Sequence, residues 1–237
     1  MNNELILLLV TAVSLAVVHT LAGPDHYLPF IVISRARNWS LAKTSWFTVL
    51  CGLGHVGSSV FIGFLGIAFG IGLSKLVFIE GIRGSIVSYL FAAFGLVYLV
   101  WAIYRMIRNK HHNHLHFHRD GTEHLHEHAH HSDHLHVHEE KGKVNLTPWI
   151  LFTFFIFGPC EPLIPIVMYP AAKQQFMVLV IVTAAFSLVT ILTMLTIVTI
   201  SFYGIRLLPM KFLERYTHVL AGGAIFLCGM GMLFLGL

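Results

Sequence analysis

Charge is scarce in this 237-residue chain: Asp, Glu, Lys and Arg make up 11% of it, against 56% hydrophobic residues and a mean hydropathy of +0.76. A soluble domain carries about a quarter charged residues, so the main solvent here is lipid and a soluble enzyme is excluded. Cysteine is also scarce. Cys51, Cys160 and Cys228 are odd in number and each lies inside an apolar run, which leaves no disulfide framework of the secreted kind. No Lys or Arg precedes the first apolar run and no small-residue cleavage site follows it, so the first segment is expected to persist in the mature protein. The net charge of +4 does not indicate nucleic acid, because the basic residues sit in short connections between apolar runs.

What is present is a series of apolar runs, at roughly 4–34, 44–73, 84–106, 148–171, 175–203 and 216–237. Backbone groups in lipid must be satisfied within the segment, and runs of this length suit helices, not the ten-residue alternation of a barrel. The expectation is an all-α polytopic membrane protein with six transmembrane helices. Ser40 is placed to cap the second, Thr147 and Pro148 to open the fourth, and Gly204 with Pro209 to interrupt the chain before the sixth. Twelve Lys and Arg residues fall in or beside the first, third and fifth connections, against Lys75, Arg83 and Lys173 in the others. Positive flanks are retained in the cytoplasm, so both termini are expected outside and the third connection inside.

The chain resembles itself at a lag of 135 residues: Gly23-Pro24-Asp25-His26-Tyr27-Leu28 aligns with Gly158-Pro159-Cys160-Glu161-Pro162-Leu163. Three helices per unit is an odd number, so the units must be inverted relative to one another, as in many transporters. The expected division is 1–106 for the first three-helix repeat, 107–146 for a loop and 147–237 for the second repeat. Two unrelated Pro-kinked helices are the alternative.

The loop holds thirteen of the seventeen histidines and has a period of ten: His114, His116 and His118, then His124, His126 and His128, then His134, His136 and His138. It has too little contiguous apolar surface for a core and is expected to lack fixed structure without metal. Alternating imidazoles with carboxylates nearby offer overlapping sites for Ni, Co, Zn or Cu. A solvated linker that gains charge as its histidines protonate is the alternative. The loop is expected to concentrate metal at the cytoplasmic mouth, an effective-concentration effect that slightly favours export.

Within the apolar runs, beyond their ends, stand two carboxylates, Asp25 and Glu161, and three histidines, His19, His26 and His55. An ionisable group in lipid costs a few kcal/mol or more, so by default it faces a polar path. On an unbroken helix His19 and His26 would be separated by about 10.5 Å of rise, too far to share one ion at about 2 Å per bond. Pro24 deletes an N–H and Gly23 tolerates unusual backbone angles, so a break there is expected to gather His19, Asp25 and His26. His55, among Gly52, Gly54 and Gly57, is the candidate fourth ligand, with Cys160 and Glu161 facing the site from the other unit. Imidazole with carboxylate suits Ni, Co, Zn or Fe over Mg or Ca.

His19-Thr20-Leu21-Ala22-Gly23-Pro24-Asp25-His26, followed by Leu53-Gly54-His55, resembles the signature of the nickel/cobalt transporter superfamily, which includes efflux members and urease-accessory-like transmembrane proteins. The resemblance implies that His19, Asp25, His26 and His55 bind the transported metal and that the His-rich loop is cytoplasmic. It covers the first half well and the second half poorly, and five residues separate His19 from Asp25 where the family pattern has four. Gly158-Pro159-Cys160-Glu161-Pro162 is similar to the Pro-Cys motif of transmembrane thiol-disulfide electron carriers, which pair a cysteine from each unit; here the matching first-unit position is Asp25.

The expected function is therefore carriage of a divalent transition metal, nickel or cobalt foremost, across a bacterial inner membrane. A thiol electron carrier and a non-transporting metal sensor or metallochaperone are the alternatives. Asp25 and Glu161 supply two negative charges to a divalent ion, and an empty site would leave both carboxylates poorly solvated, so metal/proton exchange is the expected coupling.

Overall fold

The computed structural model describes residues 3–108, 114–117, 123–126, 147–207 and 216–235. Among the described residues there are eight α-helices: α1 (Asn3–Ala22), α2 (Leu28–Ala36), α3 (Leu41–Ala68), α4 (Leu73–Arg108), α5 (Thr147–Phe157), α6 (Leu163–Ala172), α7 (Phe176–Leu207) and α8 (Thr217–Leu235). Five of them, α1, α3, α4, α7 and α8, are long and apolar enough to cross a membrane. α5 and α6 are apolar but have 11 and 10 residues, about 16 Å each, roughly half a hydrocarbon core. The all-helical, membrane-embedded character expected from composition is thus present.

Two interruptions shape the bundle. The first apolar run does not continue as one helix: α1 stops at Ala22, Pro24–His26 make a single 3₁₀ turn, and α2 starts at Leu28. The 148–171 run breaks over residues 158–162, between α5 and α6. Ser40 caps α3, its side chain accepting from the Lys43 N–H at 3.3 Å. Gly204 does not interrupt its run; α7 continues through it to Leu207, and Pro209 lies outside the described residues.

α4 departs most from the sequence reading. It starts at Leu73 and not near 84, and its 36 residues amount to about 54 Å of helix. Lys75, Glu80 and Arg83 therefore belong to a helix and not to a loop. Glu80 is fully buried, so the chain has a third carboxylate inside its apolar segments.

α4 lies along α8, α1 along α7, and α3 against both α5 and α7. The α4–α8 pair approaches closely through glycine, since a Cβ at Gly222 would lie 2.6 Å from the Leu99 Cα, and Cβ atoms at Gly95 and Gly229 would press on the backbones of Phe226 and Ala92. Two apolar clusters result. One gathers Phe30, Ile33, Phe91, Phe155, Met194 and Ile225; the other gathers Ala16, Val56, Cys160, Val167, Val182 and Phe186. His55 lies where they meet, beside Val56 in sequence and with its ring 6.1 Å from that of Phe155.

In the third connection His114–Phe117 and Glu123–His126 pair as a two-stranded antiparallel ribbon, with His114 opposite His126 and His116 opposite His124. His118, His128, His134, His136 and His138 lie outside the described residues.

A methyl group at the α4–α8 contact would meet backbone, which cannot rotate away. Gly229→Ala is expected to cost about 1–3 kcal/mol and lower the thermal unfolding midpoint in detergent. Gly223→Ala, nearly two turns away with open space at its Cβ, is expected to leave the midpoint unchanged.

Candidate metal centre

The first break closes its own hydrogen bonds. The Gly23 N–H donates to the His19 carbonyl at 3.0 Å as the last bond of α1, the His26 N–H to Gly23 at 3.1 Å, and the Tyr27 N–H to Pro24 at 3.3 Å. Gly23 is in an extended conformation, with φ −91° and ψ 97°, and so turns the chain out of the helix. A Cβ at this position would lie 2.6 Å from His26 Nδ1 and 2.7 Å from Asp25 Oδ1, so the tight fold of the side chains over the turn requires glycine.

The turn brings together residues that a straight helix would separate. The rings of His19 and His26 have centroids 4.7 Å apart, and those of His26 and His55 4.9 Å. One ring nitrogen from each of His19, His26 and His55 lies within 4.8 Å of both others, and His26 and His55 are buried. His26 Nδ1 faces two acceptors, the Gly23 carbonyl at 3.0 Å and Asp25 Oδ1 at 3.1 Å. Nδ1 therefore carries the hydrogen, and in the neutral ring Nε2 presents a lone pair to the cluster. That Nε2 is 3.2 Å from His55 Nε2. Two ligands bonded at about 2.0 Å to a tetrahedral ion are about 3.3 Å apart, so this pair already has the spacing of one edge of such a site.

Asp25 is not one of the three converging donors. Its carboxylate orients the His26 ring, the role an outer carboxylate plays in a carboxylate–histidine–metal triad. Cys160 comes from the second break: it is fully buried and its Sγ is 3.9 Å from His19 Nε2, but it does not share the mutual 4.8 Å spacing of the three imidazole nitrogens. Glu161, the next residue, is exposed and stands away from the cluster. A cavity of about 260 Å³ connects the two regions, lined by His19, Asp25 and His26 on one side, Ser85 and Ser88 of α4, and Glu161 opposite.

His55 reaches the cluster because α3 packs closely on two neighbours. A Cβ at Gly52 would lie 3.1 Å from Ile191 on α7, and one at Gly54 would lie 2.9 Å from Ile156 on α5. Gly57 has nothing within 4 Å of its Cβ position and plays no part in this packing. Gly158 of the second break lies against the ring, its Cβ position 3.2 Å from His55 Nδ1.

The sequence reading missed the residues that support this site from below. Glu80 and Arg83 form an ion pair on α4 and bond to Ser59 on α3 and to the backbone of the second break. Their i, i+3 spacing, opposite charges and position beside an apolar run were the available signal. Arg83 is consequently no loop residue; of the three basic residues set against the other twelve, only Lys75, in the first turn of α4, and Lys173, just past α6, remain at the ends of helices. Lys173 pairs with Glu4, whose carboxylate holds the ammonium above its ordinary pKa and ties the start of α1 to the end of α6.

Two substitutions test the geometry. Gly23→Ala must displace the His26 ring and is expected to weaken cobalt or nickel binding at the buried site about tenfold or more while the protein stays folded. Asp25→Asn, which leaves an amide beside Nδ1 but removes the charge, is expected to lose between about ten- and a hundredfold in affinity. Both are read by metal titration of the detergent-solubilised protein, with circular dichroism as the folding control. No protein-family model, no curated protein and no solved structure matches this chain.

Proposed function

We propose that the protein carries a divalent transition metal across a membrane, nickel or cobalt foremost, with zinc and iron as further cargoes its donor set accommodates. The observation that carries this reading is the convergence of three imidazole nitrogens within 4.8 Å at a helix break, halfway along α3 and beside a cavity, in a largely apolar bundle. Buried histidines are expensive in lipid, and three together with lone pairs available have a use as a cation site.

In this reading α5 and α6 together form one interrupted span, which gives six spans in two inverted units of three. Several contacts support the two-fold relation. α1 packs on α7 as α5 packs on α3, while α3 with α7 and α4 with α8 pair equivalent members of the two halves. Both interruptions begin at a Gly-Pro. With Arg83 removed from the count of flanking charges, twelve basic residues stand against two, which favours both termini outside and the His-rich loop in the cytoplasm of a bacterial inner membrane. The loop would gather cargo at the inner mouth, which favours export. Asp25 and Glu161 line the cavity and would neutralise a divalent ion there, so an emptied carrier holds surplus negative charge that protons can balance.

Metal-resolved flux in sealed proteoliposomes tests the reading. The parent protein is expected to move nickel or cobalt down its gradient and His26→Ala to abolish that flux at unchanged protein density. An imposed pH gradient is expected to drive the metal in the opposite direction to the protons. Absence of flux in the parent sinks the transport reading, and flux that ignores the pH gradient sinks the exchange.

A further inference from the structure

The second break differs from the first in how its backbone is satisfied. Over residues 158–162 the chain leaves helical geometry, so the carbonyls of Ile156 and Gly158 and the N–H of Cys160 have lost the partners an unbroken helix would provide. In an apolar bundle each such group left bare costs a few kcal/mol. None of the three is bare, and the groups that satisfy them come from the other half of the chain. One Arg83 nitrogen donates to the Ile156 carbonyl at 3.0 Å, to the Gly158 carbonyl at 3.2 Å and to Ser58 Oγ at 2.9 Å. Its other nitrogen engages Glu80 and lies 3.4 Å from Ser59 Oγ. Glu80 Oε2 accepts from the Cys160 N–H and from the Ser59 hydroxyl, both at 3.1 Å, and the Cys160 N–H also reaches Ser59 Oγ at 3.1 Å.

The network ends on two members of the candidate metal centre. Cys160 is gripped through its own N–H, with its thiol directed to His19. Ser58, which Arg83 holds, donates to the His55 carbonyl at 2.9 Å. A planar guanidinium with several fixed donors can hold two carbonyls, a hydroxyl and a carboxylate at once; a lysine ammonium, a compact point charge, cannot reproduce that set. A stabilising ion pair alone would need only charge opposite Glu80, whereas here the contacts beyond the pair go to the second break, to the end of α5 and to Ser58 and Ser59 of α3.

The geometry points to Glu80 and Arg83 as positioning residues that clamp the second break and present the Cys160 thiol to the histidine cluster, making it a His₃Cys site for a soft or borderline divalent ion. This rests on the transport reading for the identity of the cluster and adds the thiolate as a ligand and the pair that sets it. Metal binding at Cys160 would release the thiol proton to solvent, and no redox change is involved.

Cobalt(II) alone is a suitable probe for the detergent-solubilised full chain, because thiolate ligation gives a near-ultraviolet charge-transfer band. The His-rich loop cannot contribute to it, since all three cysteines lie elsewhere. The parent is expected to show the band, and Cys160→Ser to lose it. Arg83→Lys keeps the opposite charge but not the fork, and is expected to lose or displace the band and weaken cobalt binding about tenfold. Ser59→Ala, which leaves the ion pair intact and should fold even if Arg83→Lys does not, is expected to shift the same band with a smaller loss of affinity. A folded Arg83→Lys, or Ser59→Ala if only that folds, with the parent's band and affinity overturns the inference. So does a parent whose cobalt spectrum is indifferent to Cys160→Ser, and in that case histidine-dependent flux can still stand. Cobalt binding and flux both indifferent to His26→Ala would instead overturn the transport reading beneath it.

Discussion

In lipid a helix can be broken only where something else takes over its backbone hydrogen bonds, and the arrangement of this protein depends on how two such breaks are paid for. Apolar runs long enough to span a bilayer would by themselves give a featureless bundle. The interruptions at Gly23 and at 158–162 turn that bundle into a site. They place His26, carried by a 3₁₀ turn, against His19 and His55, and Cys160, carried by non-helical backbone, against His19, while His19 and His55 stay on α-helices. Depth follows from the same constraint: each break separates a helix packed in one apolar cluster from a helix packed in the other, so the polar groups meet at the boundary between clusters.

The donor arrangement has chemical content beyond a count of histidines. Asp25 is spent on His26, and its contact fixes which ring nitrogen is free. In the proposed site, imidazole and a thiol would face the centre, a set of borderline and soft donors with no direct carboxylate oxygen, which would disfavour hard cations such as Mg²⁺ and Ca²⁺. The carboxylates remain close enough to affect charge balance, at the turn and across the cavity.

Much of the fold was legible because hydropathy reports helices directly when lipid is the solvent. The break at Gly23-Pro24 could be read from the backbone chemistry of those two residues, and the ribbon pairing in the loop could not, since alternating His-Leu-His carries no core to fix it. The start of α4 was misjudged for a definite reason. Glu80 and Arg83 lower the local hydropathy as if they were two exposed charges, although they neutralise one another one turn apart and are buried or nearly so. A window average sums residues, whereas the cost of burial belongs to the pair and to the hydrogen bonds around it.

The same distinction explains why one half of the site can be recognised as a contiguous motif and the other cannot. The first break is self-sufficient: its donors and acceptors lie between His19 and Tyr27, so the residues that make the turn and two of the three converging histidines occupy one short stretch. The second break borrows its partners from Ser59, Glu80 and Arg83, some 75 to 100 residues earlier in the chain. Its local sequence, Gly158-Pro159-Cys160-Glu161-Pro162, announces that a helix ends but says nothing of what completes it. Two interruptions that both open on Gly-Pro therefore divide the work, the first presenting His26 from a closed turn and the second depending on α3 and α4 for the geometry of a single thiol.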